Sequence, residues 1–399
     1  MKNKQVISFC NLYILLWMVY SLQGILLGGK GGGFSTIIVF ILIGVSLYHF
    51  VYALFHYKIP EYMKGLALLV IMFTVYGVVL VISGQTIRFT RSGAVVKNYN
   101  YLKNIYISLL PIYSFYVFTR KGLLTKKVLL GWTVVFFAAA VAQYFQHQQE
   151  MLISLGDVDE ITNNYGYAFL SMIPLLAFWE HKRVVQYLGL GISMLFIVLG
   201  MKRGAILIGA VCVVWFLYHA LKTASRRQKN RVIIFSIIII IVGFYAVSYM
   251  LQNSEYFNYR IEDTLEGDSS GRDLLYGILW RHFINESNPW LFLFGNGAYA
   301  TLKFASNFAH NDWLEISINQ GLLGIVIYFI YWLKFYKTWR RCKVDDQLFL
   351  ATGLVLLIFF LKTIFSMSYG DMSIYVTICL GYCMGKLSEY DNQAFLQKE

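Results

Sequence analysis

Apolar runs of roughly 17 to 23 residues recur from one end of this 399-residue chain to the other, each long enough to cross a bilayer as a helix. In hydrocarbon the backbone must satisfy its own hydrogen bonds, and a helix does so within one segment. The runs centre near Leu16, Ser46, Met72, Leu110, Phe136, Leu170, Ser193, Val211, Ile239, Ile325, Leu356 and Thr377, which makes about twelve. Those near Leu110 and Leu170 have polar edges. With 58% hydrophobic and only 14% charged residues, the composition excludes a soluble globule. The expected fold is an all-α polytopic membrane protein with a large external loop. Residues 1–251 form an N-terminal bundle of about nine spans, 252–309 the loop, and 310–399 a C-terminal bundle of about three.

Lysine and arginine set the orientation, because cytoplasmic loops retain an excess of them. With Met1 inside, Arg120 to Lys127, Lys222 to Arg231 and Lys334 to Lys343 all fall in the cytoplasm. The acidic segment Glu150 to Glu160 and the segment Gln252 to Phe308 fall outside, and both termini are cytoplasmic. One loop fits badly: Arg88, Arg91, Lys97 and Lys103 lie outside. Either the spans near Met72 and Leu110 are misplaced, or this surface meets an anionic substrate.

The net charge of +13 is therefore mostly topology. The basic clusters flank spans and carry no nucleic-acid reading module. Cys10, Cys212, Cys342, Cys379 and Cys383 have neither metal-site spacing nor the look of a disulfide framework. The first run lacks a small-residue cleavage site and is followed at once by another span, so it reads as a retained anchor. No internal repeat is visible. The Gly28 to Gly33 cluster lacks the Lys-Ser/Thr of a phosphate loop and reads as a turn. Asp157-Val158-Asp159 reads as part of a solvated acidic loop.

The external segment has its own architecture. Ser270 with Asp273 three residues on is a capping-box pattern, and Leu274, Leu275, Ile278, Leu279 and Phe283 form one apolar stripe. This predicts an amphipathic helix that ends before Pro289. Arg272 falls in its first turn, where the helix dipole disfavours a cation unless an anion is bound. A surface pair with Asp268 or Asp273 is the plainer reading. Lys202-Arg203-Gly204 alone separates two apolar runs on the outer side, where positive charge is normally depleted. These cations either line a cavity or snorkel to headgroups, and Lys202 suits the headgroup better than Arg203 does. His310 lies at the mouth of the tenth span, followed by Asn311, Asp312 and the interfacial anchor Trp313. Histidine suits proton removal at neutral pH, although a lone histidine is often structural.

Taken in order, Arg203-Gly204, Gly271-Arg272 with Trp280, Pro289 to Gly297, Ala309-His310-Asn311, Leu314-Glu315 and Gly321-Leu322-Leu323-Gly324 resemble the O-antigen ligase and polymerase superfamily. Its members are multi-span bacterial glycosyltransferases with a large periplasmic loop. The resemblance covers about Gly200 to Tyr331, and Lys202 departs from it, since the family often has a small hydroxyl residue before Arg-Gly.

The resemblance implies a GT-C-like fold in the bacterial inner membrane and a donor glycan on undecaprenyl diphosphate. It implies that Arg203 and Arg272 stabilise the diphosphate leaving group as multidentate cations. His310 accepts the proton of the attacking hydroxyl, and the anomeric configuration inverts. Arg281, Lys202, Asn311, Trp313 and Tyr299 complete the expected substrate-binding set, with Tyr299, Trp290, Trp313 and Tyr259 offering rings for sugars. No metal or cofactor is implied, the arginines standing where a divalent cation often does. A polymerase joining one lipid-linked repeat to another is the leading expectation, with a chain-length regulator and a flippase as pathway partners. A ligase acting on lipid A core or protein is the alternative, and a lipid-linked sugar flippase the second.

Overall fold

The polar-edged run near Leu110 forms the interior of the molecule: residues 108–119 are buried without interruption. Three of its hydroxyls are paired inside, Tyr113 donating to the Met63 carbonyl at 2.6 Å, Thr119 to the Phe115 carbonyl at 2.8 Å and Tyr116 meeting the Ser388 hydroxyl at 3.3 Å, while that of Ser114 has no partner among the described residues. That internal pairing lets a tyrosine-rich segment sit in an apolar core.

The computed structural model describes residues 2–27, 32–88, 95–154, 165–255, 257–258, 261–262, 271–305, 307–370 and 372–396. In chain order the first helices are α1 (Lys2–Ser21), α2 (Gln23–Leu27), α3 (Gly32–His56) and α4 (Glu61–Ser83). A two-strand ribbon follows, β1 (Ile87–Arg88) antiparallel to β2 (Val95–Val96). Next come α5 (Tyr99–Leu109), α6 (Pro111–Arg120), α7 (Lys126–Ser154) and α8 (Tyr165–Met172), with a 3₁₀ stretch Ile173–Lys182 leading into α9 (Arg183–Leu199). Then α10 (Arg203–Thr223), α11 (Arg226–Asn253), α12 (Arg272–Ile284), α13 (Pro289–Phe294) and α14 (Ala300–Ala305) follow. The chain closes with α15 (Asp312–Arg341), α16 (Asp346–Phe365) and α17 (Ile374–Leu396).

Eight helical segments among the described residues are long and apolar enough to cross a membrane. The chain is thus an all-helical, multi-pass membrane protein. One of the eight, Tyr165–Leu199, doubles back on itself. Phe169 stacks on Phe196 with ring centroids 4.5 Å apart, whereas a straight helix would separate them by about 40 Å. The reversal lies at Trp179 and Lys182, both outside helical backbone geometry. Around Leu16 and Thr377 the chain is helical, as α1 and α17, and around Leu110 the run is split between α5 and α6 at Pro111. Large apolar side chains cover the outside, Phe40, Ile82 and Phe244 each at least 70% exposed, a surface that requires lipid rather than water.

Contacts sort the loops to two ends. At one, Lys126 donates to Gln347 at 2.7 Å, the Tyr62 amide to Thr338 at 2.9 Å and the Trp339 indole to the Phe349 carbonyl at 3.1 Å. Thr223 faces Asp346 and Gln347 across a small groove. The three basic loops therefore share this end. At the other are the starts of α12 and α15 and the last turn of α16. The ribbon loop joins them there, through Lys303 to Gln85 at 2.5 Å. Arg91, Gly28 and Asp157-Val158-Asp159 lie outside the described residues.

Candidate functional site

Helix α15 is broken at Gly321, whose φ of 67° is left-handed. Unwinding frees carbonyls that a continuous helix would have used. The turn after α13 takes them: the Asn296 amide donates to the Ile318 carbonyl at 2.9 Å and the Gly297 amide to Asn319 at 3.0 Å. Tyr76 of α4 donates to the Phe294 carbonyl beside them. The segment after α13 is thereby docked into the break and delivers α14 and residues 307–311 to the end of α15.

Two buried carboxylates fix the backbone on either side of His310. Glu315 Oε2 accepts the Ala309 amide at 2.8 Å, while Oε1 accepts the Thr301 hydroxyl at 2.7 Å and the Asn319 amide at 2.8 Å. Asp312 accepts the Tyr328 hydroxyl at 2.6 Å and the Ser368 amide at 3.0 Å. Both carboxylates are almost wholly removed from solvent, which is tolerated because each oxygen is bonded. His310 itself has a left-handed φ of 50°, uncommon outside glycine, and its carbonyl accepts the Tyr276 hydroxyl at 3.3 Å.

Arg272 and Lys202 come to His310 from two different helix starts. Arg272 is the first residue of α12, after Gly271 in a left-handed conformation. Lys202 is the residue immediately before α10, after Met201 at φ 52°. Burial first, then the charges of Arg272 and Lys202, hold the His310 imidazole below its ordinary value of 6.5. The ring is neutral at neutral pH, half-buried and within the field of two cations. Tyr276 lies one turn after Arg272, and burial raises its phenol above the usual 10, so it remains a hydrogen-bond donor.

The other expected residues divide. Arg203 opens α10 half-buried, beside Lys202; it is the Lys202 charge that acts on His310, although the sequence favours a headgroup role for it. Asn311 caps α15, its side-chain oxygen accepting the Leu314 amide at 3.1 Å and its amide reaching the Ile364 carbonyl at 3.5 Å. Trp313 donates to Thr363 at 3.0 Å. Arg281 is exposed and folds onto its own helix, Nε donating to the Gly277 carbonyl at 3.1 Å. Nine residues along an α-helix turn it about 180° away from Arg272. Tyr299 is only 7% exposed, edge-on to Tyr101 at 5.1 Å, and packs rather than offering a face to a ligand. Trp290 is open to its surroundings at 70% exposure.

Helix α12 ends before Pro289 as its sequence predicts, but it is capped at Gly271 with no side-chain bond in place of the expected capping box, and its stripe splits. Leu275, Leu279 and Phe283 pack on Ala300, Ala309 and Ile318, whereas Leu274 is 68% exposed and Ile278 37%. Ser270, Asp268 and Tyr259 lie outside the described residues, and Gly271 holds the capping position. Sequence reasoning passed over Tyr276, whose spacing four residues after Arg272 puts it on the same face. Among the described residues no group of three or more His, Cys, Asp or Glu is placed to hold a metal ion. No protein-family model matches the chain, and no curated protein matches it in sequence.

Proposed function

We propose that this chain is a glycan polymerase of the membrane surface, transferring a glycan from a polyprenyl diphosphate donor to a hydroxyl of a second lipid-linked repeat. The observation that carries the reading is a neutral imidazole, His310, in the field of the cations Arg272 and Lys202, with Tyr276, one turn after Arg272, bonded to its carbonyl at 3.3 Å. A hydroxyl of the acceptor gives its proton to His310 as its oxygen attacks the anomeric carbon. The bond from that carbon to the diphosphate oxygen breaks, and the departing diphosphate carries the electron pair. Arg272 meets its charge with the planar guanidinium fork, assisted by Lys202 and the neighbouring Arg203. Direct displacement inverts the anomeric centre.

The same arrangement explains why two cations stand at helix starts. A cation there is opposed by the helix dipole, and a diphosphate reverses the balance by accepting amides from the first turns of α10 and α12. Its negative charge also offsets the cations acting on His310 and strengthens that base once the donor is bound. The basic ribbon loop sits at this end and adds to the attraction. Twelve spans, the outward placement of this end and residence in a bacterial inner membrane belong to the same reading. A ligase would use identical chemistry with a different acceptor.

The test is a gel of surface polysaccharide and carrier-linked glycan from cells lacking the chain, with the wild type or H310Q restored. The reading expects single repeats without it, a ladder with the wild type, and single repeats again with H310Q at normal membrane abundance. Full-length polymer stranded on the carrier means a ligase. Repeats held at the cytoplasmic face mean a flippase, and a full ladder from H310Q removes the catalytic histidine.

A further inference from the structure

Two buried donors near the basic-loop end have nothing to bond. The Tyr187 phenol of α9 is 3% exposed and lies beside the Arg183 guanidinium. Neither its hydroxyl nor Arg183 Nε has a hydrogen-bond partner among the described residues. Buried donors left unsatisfied are costly, and such a pair calls for an acceptor from outside the chain. Both residues line a cavity of about 380 Å³, together with Glu180, Lys182, Gln228 and Arg231. The volume is that of a small-ligand site. One wall is Tyr187 stacked on Phe235 of α11, ring centroids 4.9 Å apart. The far ends of these two helices also meet, Val198 of α9 packing with Ala246 and Met250 of α11, so α9 and α11 run the same way. Arg183 and Arg231 each stand one turn before the stacked rings and therefore come to the same end of the cavity.

Charge selects an anion. Lys182 Nζ lies 5.9 Å from the Trp179 ring centroid and Arg183 Nη1 donates to Gln186 at 3.2 Å, but among the described residues Lys182, Arg183 and Arg231 form no ion pair. Glu180, the one acid in the lining, is engaged by the Gln347 side chain and faces the exposed His181 at 3.6 Å. Helix α9 also starts here without a side-chain cap at Lys182, and its dipole adds to the positive field. The cavity lies where charge gives way to an apolar exterior: Val184 and Leu188 of α9 and Ile233, Ile234 and Ile237 of α11 are exposed. Helix α11 buries only Val232, Ile239, Ala246 and Met250, so lipid is its neighbour along most of its length. We propose that this cavity holds the phosphate headgroup of an anionic phospholipid, whose acyl chains lie along α9 and α11. The phosphate oxygens accept from Arg183 Nε, the Tyr187 hydroxyl and the Arg231 guanidinium, as basic pockets between membrane helices do for anionic headgroups. One headgroup thereby ties α9 to the start of a span that the protein itself hardly packs. A soluble phosphate compound would meet the same donors and leave the apolar flank uncovered. The site is at the opposite end of the molecule from His310 and does not depend on the polymerase reading.

The test is native mass spectrometry of the full-length protein, stripped of lipid in detergent and titrated with phosphatidylglycerol or phosphatidylcholine. The first phosphatidylglycerol adduct is expected at a several-fold lower concentration than the first phosphatidylcholine adduct. R183Q and R231Q are each expected to abolish that difference. R231Q carries the test by itself, because Arg231 is exposed at the start of α11 and its loss leaves the core untouched. R226Q/R227Q removes two exposed cations of the same loop that do not line the cavity, and it should keep the preference. Equal loss in R226Q/R227Q would reduce the effect to diffuse attraction by the basic loop and overturn the proposal, as would equal uptake of the two lipids by the wild type. Displacement of bound phosphatidylglycerol by inorganic phosphate, but not by chloride at the same ionic strength, would give the cavity to a soluble phosphate compound and overturn it as well. The second measurement is the thermal midpoint in detergent, which phosphatidylglycerol should raise in the wild type and in R226Q/R227Q but not in R231Q. A rise of the same size in R231Q would place the stabilising lipid elsewhere.

Discussion

Gly295 and Gly321 interlock backbone to backbone. A Cβ on Gly295 would lie 2.5 Å from the Asn319 carbonyl, and one on Gly321 would lie 2.5 Å from the Gly295 nitrogen. Both also have positive φ, 75° and 67°. The atoms in the way are main chain, which has no rotamer to yield. The whole His310 segment hangs from this joint, because the Asn296 and Gly297 amides bond the carbonyls that the break releases.

G295A and G321A are each expected to destabilise the purified protein by about 1–3 kcal/mol from backbone strain alone, with the clash adding to it. Thermal unfolding in detergent measures this. G191A, in α9 with nothing near its added Cβ, is the control and should be neutral or stabilising by up to about 1 kcal/mol. Equal midpoints for all three would refute the interlock.

Parts of this site were readable before any fold was known. The position of Arg272 in the first turn of α12 follows from the apolar spacing, although Gly271 caps the helix where the capping-box pattern points to Ser270, and the helix stops short of Pro289. Arg281 lies apart from Arg272 for a reason helical geometry supplies, since nine residues place it on the opposite face. Tyr299 was expected at the ligand, yet Tyr101, more than 190 residues away in sequence, packs against it; a pattern read along the chain does not contain that contact. Leu274 faces outward because the protein covers only the Leu275, Leu279 and Phe283 side of α12, and a single stripe cannot say which side each leucine takes.

Glu315 is a positioning residue, and its removal separates geometry from chemistry. E315A leaves the Ala309 amide, the Thr301 hydroxyl and the Asn319 amide without their acceptor, at about 1–3 kcal/mol for each buried group left unsatisfied. E315Q keeps the shape but turns a donor toward one of these donors, so it should lose stability and turnover to a smaller degree. Turnover in E315A equal to wild type, at a temperature where the variant is folded, would show that the Ala309 bond does not place His310.

R272K tests the guanidinium fork rather than the charge. A point charge on a flexible stem cannot give two parallel bonds to a diphosphate, and loss of one aimed donor costs about 100-fold in turnover. Stability should hardly change, because Arg272 is half-buried at a helix start. Wild-type turnover in R272K with lipid-linked repeat would remove Arg272 from the leaving-group role. R281K is the internal comparison: its guanidinium lies on the far side of α12, and it should polymerise as wild type does.

The pH profile reports on His310 directly. The base must be neutral to accept a proton, so kcat/KM falls as pH drops through the pKa of the free enzyme. Burial and the charges of Arg272 and Lys202 hold that value below 6.5. Activity is therefore expected to persist through pH 6.5 and to decline only at lower pH. K202Q removes one of the two cations, which raises the imidazole toward its ordinary value, and the acid limb should move to higher pH. The limb in kcat, where bound diphosphate already offsets the cations, should lie at higher pH than the limb in kcat/KM and respond less to K202Q. An acid limb unmoved in K202Q would place Lys202 outside the field of His310, and no acid limb below neutrality at all would mean that another group takes the proton.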